Sequence, residues 1–382
     1  MKWNLANIST QPTPFYLYDM ELLEKTLDEA LHQANRYDFK IHYALKANSN
    51  IPILKRIAEK GFGADCVSGN EIKRALTMGF PSDKIAFAGV GKTDAEINLG
   101  IDNQIFSFNV ESIPELEIIN ELAEKKGQIA RVALRINPNV DANTHKYITT
   151  GMEENKFGIN PWELPEIMER LSEFKNINVN GIHFHIGSQI TDMSVFKSLC
   201  IKVNHIQQLF IDNQIIVQHI NVGGGLGINY HNPDSELIPD FESYFAVFNQ
   251  FLELQPNQEL HFELGRSLVA QCGSLVSKVL FIKKGAAKQF AIVDASMTDL
   301  LRPALYQSYH FIDSIAAKSS IIEKYDVVGP VCESTDIFRK AVDLPQLLRG
   351  DFIAIRSVGA YGQVMSSNYN LRSTAEAVYI YG

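Results

Sequence analysis

The chain has 382 residues, of which 46% are hydrophobic and 21% charged, a composition typical of globular proteins with room for two or more domains. A net charge of −9 argues against a nucleic-acid or anionic-membrane surface as the main function, and no run approaches the roughly 20 apolar residues of a membrane helix. The N-terminus lacks the apolar core of a signal peptide and the four cysteines are widely spaced, so we expect a cytoplasmic protein without a disulfide framework.

Apolar runs typical of buried strands alternate with helical patterns along the first two thirds of the chain. The first helical pattern, ELLEKTLDEALHQANR, places five apolar residues on one face. Eight strand-like runs follow, ending near Lys46, Val67, Val90, Val110, Ile136, Ile186, Gly223 and Leu264. Thr93–Glu96 and Ser112–Glu115 read as capping boxes that open two of the helices between them. This alternation predicts a (β/α)8 barrel, with a doubly wound open sheet as the structural alternative.

Two further features complete the predicted organisation. Residues 137–160 form the longest irregular stretch, and their length predicts a functional loop rather than a simple connection. After Arg266, strand-like segments with short connections predict a separate β domain, which the N-terminal PTPFYLYD could join. We therefore predict the barrel over residues 24–270 and a β domain from residues 1–23 and 271–382.

A barrel of this kind collects its chemistry at the C-terminal ends of the strands. At or just after these strand ends, the sequence places polar residues and glycines: Lys46, Asp65, Arg135, His183, His185, Ser188, the triple glycine 223–225, Glu263 and Arg266. Several have a simpler explanation: Lys46 as a strand end entering solvent, the glycines as a tight turn, Glu263 and Arg266 as an ion pair. The HFH pair could bind a metal ion, but no third ligand with suitable spacing is evident, so no metal site is predicted.

One chemistry uses all these residue types together. A lysine amine forms a Schiff base with an aldehyde cofactor, while glycine amides and an arginine can hold a phosphate. A flat imidazole can pack against a flat ring, and a carboxylate can keep a pyridine nitrogen protonated. These are the requirements of pyridoxal 5′-phosphate, which is therefore the predicted cofactor.

The chain resembles the fold-type III pyridoxal-phosphate enzymes, the alanine racemase and ornithine decarboxylase group, and is most similar to its meso-diaminopimelate decarboxylases. The resemblance rests on HYALKAN, DANTHKYITTGMEENKFGI, GIHFHIGSQI, NVGGGLGINY, ELGRSLVAQCG, LLRPALYQSYH, VVGPVCESTD and GAYGQVMSSNYN. It implies decarboxylation of meso-2,6-diaminopimelate to L-lysine and carbon dioxide, the last step of lysine biosynthesis. A decarboxylase for arginine, ornithine or carboxynorspermidine is the alternative on this scaffold, and a non-catalytic pyridoxal-phosphate carrier is a more distant one.

The resemblance also implies roles for individual residues. The catalytic residues would be Lys46, which forms the Schiff base, with Cys332 and His185. The cofactor would be bound by Lys46, Asp65, Arg135, His185, Ser188, Gly224, Gly225, Glu263 and Tyr361. The amino-acid substrate would be bound by Arg266, Arg302, Tyr306, Glu333 and Tyr361.

Two of these assignments depend on further reasoning. The resemblance implies a homodimer whose active site is shared, with Cys332 and Glu333 coming from the other subunit, although a cysteine after VVGPV could instead be core filler. Diaminopimelate carries a distal carboxylate, which arginine binds through a bidentate, charge-assisted contact. An ornithine-type site meets only a distal ammonium, so Arg302 in LLRPALY favours diaminopimelate.

Overall fold

The computed structural model describes residues 9–140, 156–316 and 318–381, and it divides the chain into two units. The barrel unit comprises Leu27–Gly227 and Asp240–Gly265. The β unit comprises the N-terminal residues up to Thr26, the segment Ile228–Pro239, and the chain from Arg266 onward. The segment Ile228–Pro239 thus groups with the β unit, although it falls within residues 24–270, the range predicted for the barrel.

Eight parallel strands close into a barrel, which confirms the predicted fold class over the open-sheet alternative. They are β2 (Lys40–Ala44), β3 (Gly63–Cys66), β4 (Ile85–Phe87), β5 (Ser107–Val110), β6 (Ala130–Arg135), β7 (Ile177–His183), β8 (His219–Asn221) and β9 (Glu259–Leu264). Each strand pairs with the next, and β9 pairs with β2 to close the ring. The helices of this part of the chain are α1 (Met20–Asn35), α2 (Ile51–Glu59), α3 (Gly69–Met78), α4 (Asp94–Asp102), α5 (Ile113–Lys125), α6 (Leu164–Arg170), α7 (Met193–Asp212) and α8 (Phe241–Phe251).

The two predicted capping boxes have different outcomes. Thr93 opens α4 with the full reciprocal pattern, in which its side chain accepts from the N–H of Glu96 and the Glu96 carboxylate accepts from the N–H of Thr93. Ser112 accepts from the N–H of Glu115 at the start of α5. The carboxylate of Glu115 accepts instead from the N–H of Glu111 at 2.7 Å and binds the ammonium of Lys92 at 2.5 Å. Both of its oxygens are therefore bound elsewhere, and the second box is only half formed.

Side chains inside the barrel form two layers, because alternate residues of a strand point to the same face. The layer near the N-terminal strand ends, which we term the floor, consists of His42, Phe106, His219 and His261, whose rings contact one another. The layer near the C-terminal strand ends, which we term the mouth, consists of Lys46, Asp65, Asn109, His183, Asn221 and Glu263. Gly181 leaves room for the floor, because a Cβ there would lie 2.2 Å from Nε2 of His219.

The β unit is built on a sheet that joins both parts of the chain flanking the barrel. Its strands are β1 (Phe15–Asp19), β10 (Gly273–Lys284), β11 (Gln289–Val293), β12 (Ile312–Ile315), β13 (Ile322–Val328), β14 (Ile337–Pro345), β15 (Phe352–Ile355) and β16 (Glu376–Ile380). Strand β1 pairs antiparallel with β10 and parallel with β16, which confirms that the N-terminal segment joins this domain. Two short helices, α9 (Arg266–Val269) and α10 (Arg302–Tyr306), carry arginines of the candidate site.

Candidate active site

Lys46 follows β2 in a short 3-10 turn, Leu45–Ala47. Its ammonium donates a hydrogen bond to Oδ2 of Asp65 at 3.0 Å, and the Asp65 side chain is fully buried. Burial raises the pKa of Asp65, and the nearby charge of Glu263 raises it further, while Lys46 opposes both effects. The lysine therefore pairs with a buried carboxylate, while 37% of its own side chain remains exposed.

Glu263 lies at the centre of the mouth and accepts three hydrogen bonds from side chains. The amides of Asn109 and Asn221 donate to its Oε1 at 2.9 and 2.8 Å, and His183 lies 3.0 Å from its Oε2. Burial alone would raise the pKa of Glu263, but His183 and Lys46 together lower it well below its usual range. Glu263 is consequently an anion in the folded protein.

Three residues that contact Glu263 have no assigned role in the sequence analysis. A carboxylate only accepts hydrogen bonds, so Nε2 of His183 carries the proton that it donates to Glu263. Asn109 and Asn221 occupy inward positions near the ends of β5 and β8. The signal that could have found them is their type: an amide inside an otherwise apolar strand needs a buried polar partner.

His185 and the glycine run lie beside this cluster. Nδ1 of His185 accepts a hydrogen bond from the N–H of Gly224 at 3.4 Å. Burial, followed by the charges of Lys46 and Arg135, lowers the pKa of His185 well below its ordinary value, so its ring is neutral. A Cβ at Gly224 would lie 2.1 Å from the carbonyl oxygen of Glu263, which only glycine avoids. Ser188 is half-buried in the segment that follows β7.

Arg135 is buried at the end of β6 and is bound by a residue that the sequence analysis does not single out. Its guanidinium donates to Oε1 of Glu111 at 2.5 Å and lies 4.8 Å from the centre of the Phe157 ring. The other oxygen of Glu111 accepts from the N–H of Gly158 at 2.8 Å. Glu111 therefore connects β6 to the end of the predicted functional loop, whose residues 141–155 lie outside the described residues.

In the β unit, Arg266 and Tyr361 lie next to a tyrosine that the sequence analysis does not assign. Arg266 donates to the hydroxyl of Tyr230 at 2.6 Å, and its guanidinium lies 5.0 Å from the centre of the Tyr361 ring. Burial would raise the pKa of Tyr230, but Arg266 and Arg302 outweigh it and lower that pKa. Tyr361 has a positive φ of 57°, an uncommon backbone conformation for a bulky residue.

Arg302 and Tyr306 are the first and last residues of the short helix α10. Its Nε donates to Nε2 of His310 at 3.3 Å, and its guanidinium lies 5.6 Å from the centre of the Tyr230 ring. The side chain is buried, and burial lowers its pKa from the ordinary value. Across the described part of the chain, no carboxylate forms an ion pair with Arg302.

Cys332 and Glu333 lie on the loop between β13 and β14. Cys332 is exposed, so the core-filler explanation for it is wrong. The hydroxyl of Tyr369 donates to the Glu333 carboxylate at 2.8 Å. The buried carboxylate of Asp336 fixes the loop by accepting from the N–H of Val331 at 2.8 Å. This loop thus presents a thiol and a carboxylate at the surface of the chain.

The barrel residues fit pyridoxal 5′-phosphate. Oδ1 of Asp65 is buried and has no hydrogen-bond partner among the described residues, so it can take a donor from a bound group. The Lys46 amine is 3.0 Å from the other oxygen of the same carboxylate. Gly224 exposes backbone without a side chain, as a bound phosphate requires. No group of three His, Cys, Asp or Glu side chains that could hold a metal ion occurs in the described ranges.

Comparison with known protein families gives one match that covers the barrel. The model described as "Pyridoxal-dependent decarboxylase, pyridoxal binding domain" matches residues 21–270. That range contains Lys46, Asp65 and Glu263. More than half of the chain is therefore similar to the cofactor-binding part of this family.

Individual relatives match nearly the whole chain. The diaminopimelate decarboxylase of Bacteroides thetaiotaomicron is 56% identical over 364 residues, which are 95% of this chain and 94% of that protein. The crystal structure of the Helicobacter pylori diaminopimelate decarboxylase complexed with L-lysine has a TM-score of 0.91 at 41% identity, covering 99% of this chain and 94% of that one. The corresponding M. jannaschii complex with L-lysine has a TM-score of 0.90 at 36% identity, covering 98% and 89%.

Proposed function

The chain belongs to the family of pyridoxal-dependent decarboxylases, and we propose that it converts meso-2,6-diaminopimelate to L-lysine and carbon dioxide with pyridoxal 5′-phosphate as cofactor. Relatives that span nearly its whole length are named for this reaction. Two of the solved relatives contain L-lysine, which is the expected product.

The observation that carries the choice of substrate is the burial of Arg302 without a carboxylate partner among the described residues. A buried cation is costly unless an anion compensates it, so the arrangement favours an anionic ligand. Diaminopimelate has a second carboxylate at its far end, which suits a guanidinium. The distal end of ornithine or arginine is a cation and would be repelled.

Several barrel residues would bind the cofactor. Lys46 would hold it through its amine, the neutral ring of His185 would stack on it, and Ser188, Gly224 and Gly225 would bind its phosphate. Asp65 and Arg135 would line the same pocket. When bound, the cofactor supplies a protonated pyridine ring that accepts the electron pair left behind by departing carbon dioxide.

The geometry indicates what the chain contributes to that chemistry. Glu263 is held as an anion by His183 and two amides, and its Oε2 has a further lone pair for the ring N–H. A fixed anion facing the ring nitrogen of a bound cofactor would keep that nitrogen protonated. Cys332, or a group that it positions, is the proposed proton donor to the reacting carbon.

The proposed substrate contacts lie mainly in the β unit. Arg266, Arg302 and Tyr306 would bind substrate carboxylates, Tyr361 would contact both substrate and cofactor phosphate, and Glu333 would bind a substrate ammonium. Buried arginines beside tyrosine hydroxyls offer several donors to a carboxylate.

We propose that the protein is a homodimer in which Cys332 and Glu333 serve the site of the partner subunit. Cys332 is exposed, and Glu333 is bound by the hydroxyl of Tyr369. Leu371, which follows Tyr369 closely in the sequence, is 93% exposed, so this part of the surface offers apolar area to a partner. Mixing inactive Lys46→Ala and Cys332→Ala subunits would then restore about a quarter of the wild-type activity through heterodimers. Mixtures that stay inactive would contradict a shared site.

We also propose a cytoplasmic location. All four cysteines are free thiols and three are buried, which suits a reducing compartment. None of the helices in the described part of the chain is long and apolar enough to cross a membrane. Cell fractionation with an antibody against the protein tests this assignment.

The function is tested with purified protein loaded with pyridoxal phosphate. Lysine and carbon dioxide release from meso-diaminopimelate is compared among wild type, Lys46→Ala, Arg302→Met and Arg302→Lys. We expect no activity for Lys46→Ala and a loss of at least about a hundredfold for Arg302→Met, with partial activity for Arg302→Lys. Turnover of ornithine in place of diaminopimelate would show that the role given to Arg302 is wrong.

A further inference from the structure

His310 holds one edge of the Arg302 guanidinium. Its Nε2 receives the Nε–H of Arg302 at 3.3 Å, and its Nδ1 lies 3.0 Å from the backbone carbonyl oxygen of Arg356. The His310 ring is 1% exposed and meets the Tyr230 ring edge-on, with centroids 5.1 Å apart. The histidine is thus fixed by contacts on both nitrogens and by its contact with the Tyr230 ring.

These two hydrogen bonds determine the protonation of His310. A carbonyl oxygen only accepts, so Nδ1 must carry a proton, and Nε2 must be bare to accept from Arg302. A second proton on Nε2 would oppose the arginine N–H. Burial, followed by the charge of Arg302, lowers the pKa of His310 to about 3, in agreement with a single neutral tautomer.

The residue that anchors His310 is itself tightly held. Arg356 donates its backbone N–H to the carbonyl oxygen of Phe311 at 2.8 Å. Its guanidinium binds the carboxylate of Asp234 at 2.8 Å and lies 3.8 Å from that of Asp313. The backbone carbonyl of Arg356, which accepts from Nδ1 of His310, is therefore held in place by these contacts.

We propose that His310 is a positioning residue for substrate recognition. A guanidinium can bind a carboxylate through its Nε edge or through its paired Nη groups. Because His310 occupies Nε, Arg302 must present its Nη pair to the distal carboxylate. This inference rests on the proposed function, since it specifies how the same arginine selects its substrate.

The chain allows a matched pair of substitutions at this position. In His310→Asn, the shorter amide can keep the hydrogen bond to the Arg356 carbonyl but cannot reach Nε of Arg302. In His310→Gln, the longer amide can place its oxygen where Nε2 was and accept from Arg302. The two variants therefore separate local anchoring from orientation of the arginine.

The test is calorimetric binding of L-lysine and of cadaverine to the pyridoxal-phosphate-loaded protein. Cadaverine has the same diamine chain but lacks the carboxylate. We expect His310→Asn to weaken L-lysine binding about tenfold and leave cadaverine within about twofold, while His310→Gln stays near wild type for both. In steady-state kinetics, His310→Asn should raise KM for diaminopimelate with little change in kcat.

The outcomes separate this inference from the proposed function. If wild type does not prefer L-lysine to cadaverine, carboxylate recognition and the proposed function both fail. If wild type prefers L-lysine and His310→Asn retains that preference, or loses both ligands equally, only the positioning role is overturned.

A second measurement does not depend on a variant that folds. Nitrogen NMR of the histidine-labelled wild-type protein reports the protonation of each ring nitrogen directly. We expect His310 to show a protonated Nδ1 and a bare Nε2 near neutral pH. The opposite tautomer would overturn the proposal.

Discussion

The mouth and the floor of the barrel keep ionisable side chains in different charge states, although on β8 and β9 their residues lie only two positions apart. Strand β9 contributes Glu263 to the mouth and His261 to the floor. Glu263 is held as an anion by donors from three other strands. In the floor, burial lowers the pKa of His42 to about 3 and that of His219 well below its ordinary value.

The difference between the layers follows from the supply of hydrogen-bond donors. The mouth surrounds its carboxylate with amide and imidazole N–H groups, which stabilise a charge that burial alone would remove. The floor offers its histidines one another, an aromatic ring, the carbonyl oxygen of Lys84 and, at its edge, the carboxylate of Glu259, and together these do not outweigh the effect of burial on the histidine pKa values. Buried charge is thus retained in the layer where chemistry is proposed and absent from the layer below it.

The largest effect should come from removing the charge in the mouth. Glu263→Gln keeps a side chain of the same shape but no longer holds an anion at the cofactor nitrogen. We expect kcat to fall at least about a hundredfold at saturating cofactor. Glu259→Gln, at the floor end of the same strand, is the matched control and should stay within about twofold; equal losses in both variants would erase the distinction between the layers.

The next effect should fall on stability and should come from the floor. In Gly181→Ala the new Cβ would lie 2.2 Å from Nε2 of His219, a buried ring that packs against Phe106. We expect the free energy of unfolding to drop by about 2 kcal/mol, with kcat largely kept wherever the protein is folded. Gly91→Ala is the control, because a Cβ there meets nothing within 4 Å. Denaturant unfolding measures both, and an unchanged Gly181→Ala would show that the floor is loosely packed.

Acid should destabilise the floor. Between pH 7 and 5 the unfolded chain binds a proton at each histidine, whereas His42, with a pKa of about 3, stays neutral in the folded state. Stability is therefore lost as the pH falls, by about 2 kcal/mol from His42 alone over this interval. Unfolding curves at both pH values should show this loss, and His42→Asn should reduce it. An identical pH dependence in the variant would place the acid-sensitive group elsewhere.

The smallest effect concerns the carboxylate at the edge of the floor. Glu259 lies 3.3 Å from His261 and partly offsets the burial that lowers the pKa of that histidine. Glu259→Gln should lower this pKa further, so the loss of stability between pH 7 and 5 should become steeper by less than about 1 kcal/mol. A shallower pH dependence would mean that the carboxylate does not influence the ring.

The repetitive parts of the fold could be predicted from the sequence. Eight apolar runs and intervening helical patterns suffice for a barrel, because strand order in such a fold follows chain order. The alternation cannot reveal that Ile228–Pro239 groups with the β unit, since membership there depends on tertiary contacts rather than on local pattern. By local pattern alone, residues 228–239 between β8 and α8 read simply as a loop.

The candidate site shows the same limit. Lys46, Asp65 and Glu263 stand out because charged residues interrupt or end apolar runs. Asn109, Glu111 and His310 do not stand out, since each acts through a partner distant in sequence: Glu263, Arg135 and Arg302. The box at Ser112 is only half formed, because the carboxylate of Glu115 binds the N–H of Glu111 and a remote lysine rather than the N–H of Ser112.

The pairing of β1 has a consequence for biosynthesis. This strand leaves the ribosome before the barrel, yet its partners β10 and β16 follow the barrel. Some 250 residues separate β1 from β10, so the hydrogen-bonding edges of β1 stay unpaired until that stretch of chain has been made. Contacts between residues so far apart in sequence form slowly. A nascent or truncated chain that lacks β10 and β16 would leave β1 as an unpaired, apolar strand with open hydrogen-bonding edges, which favours aggregation.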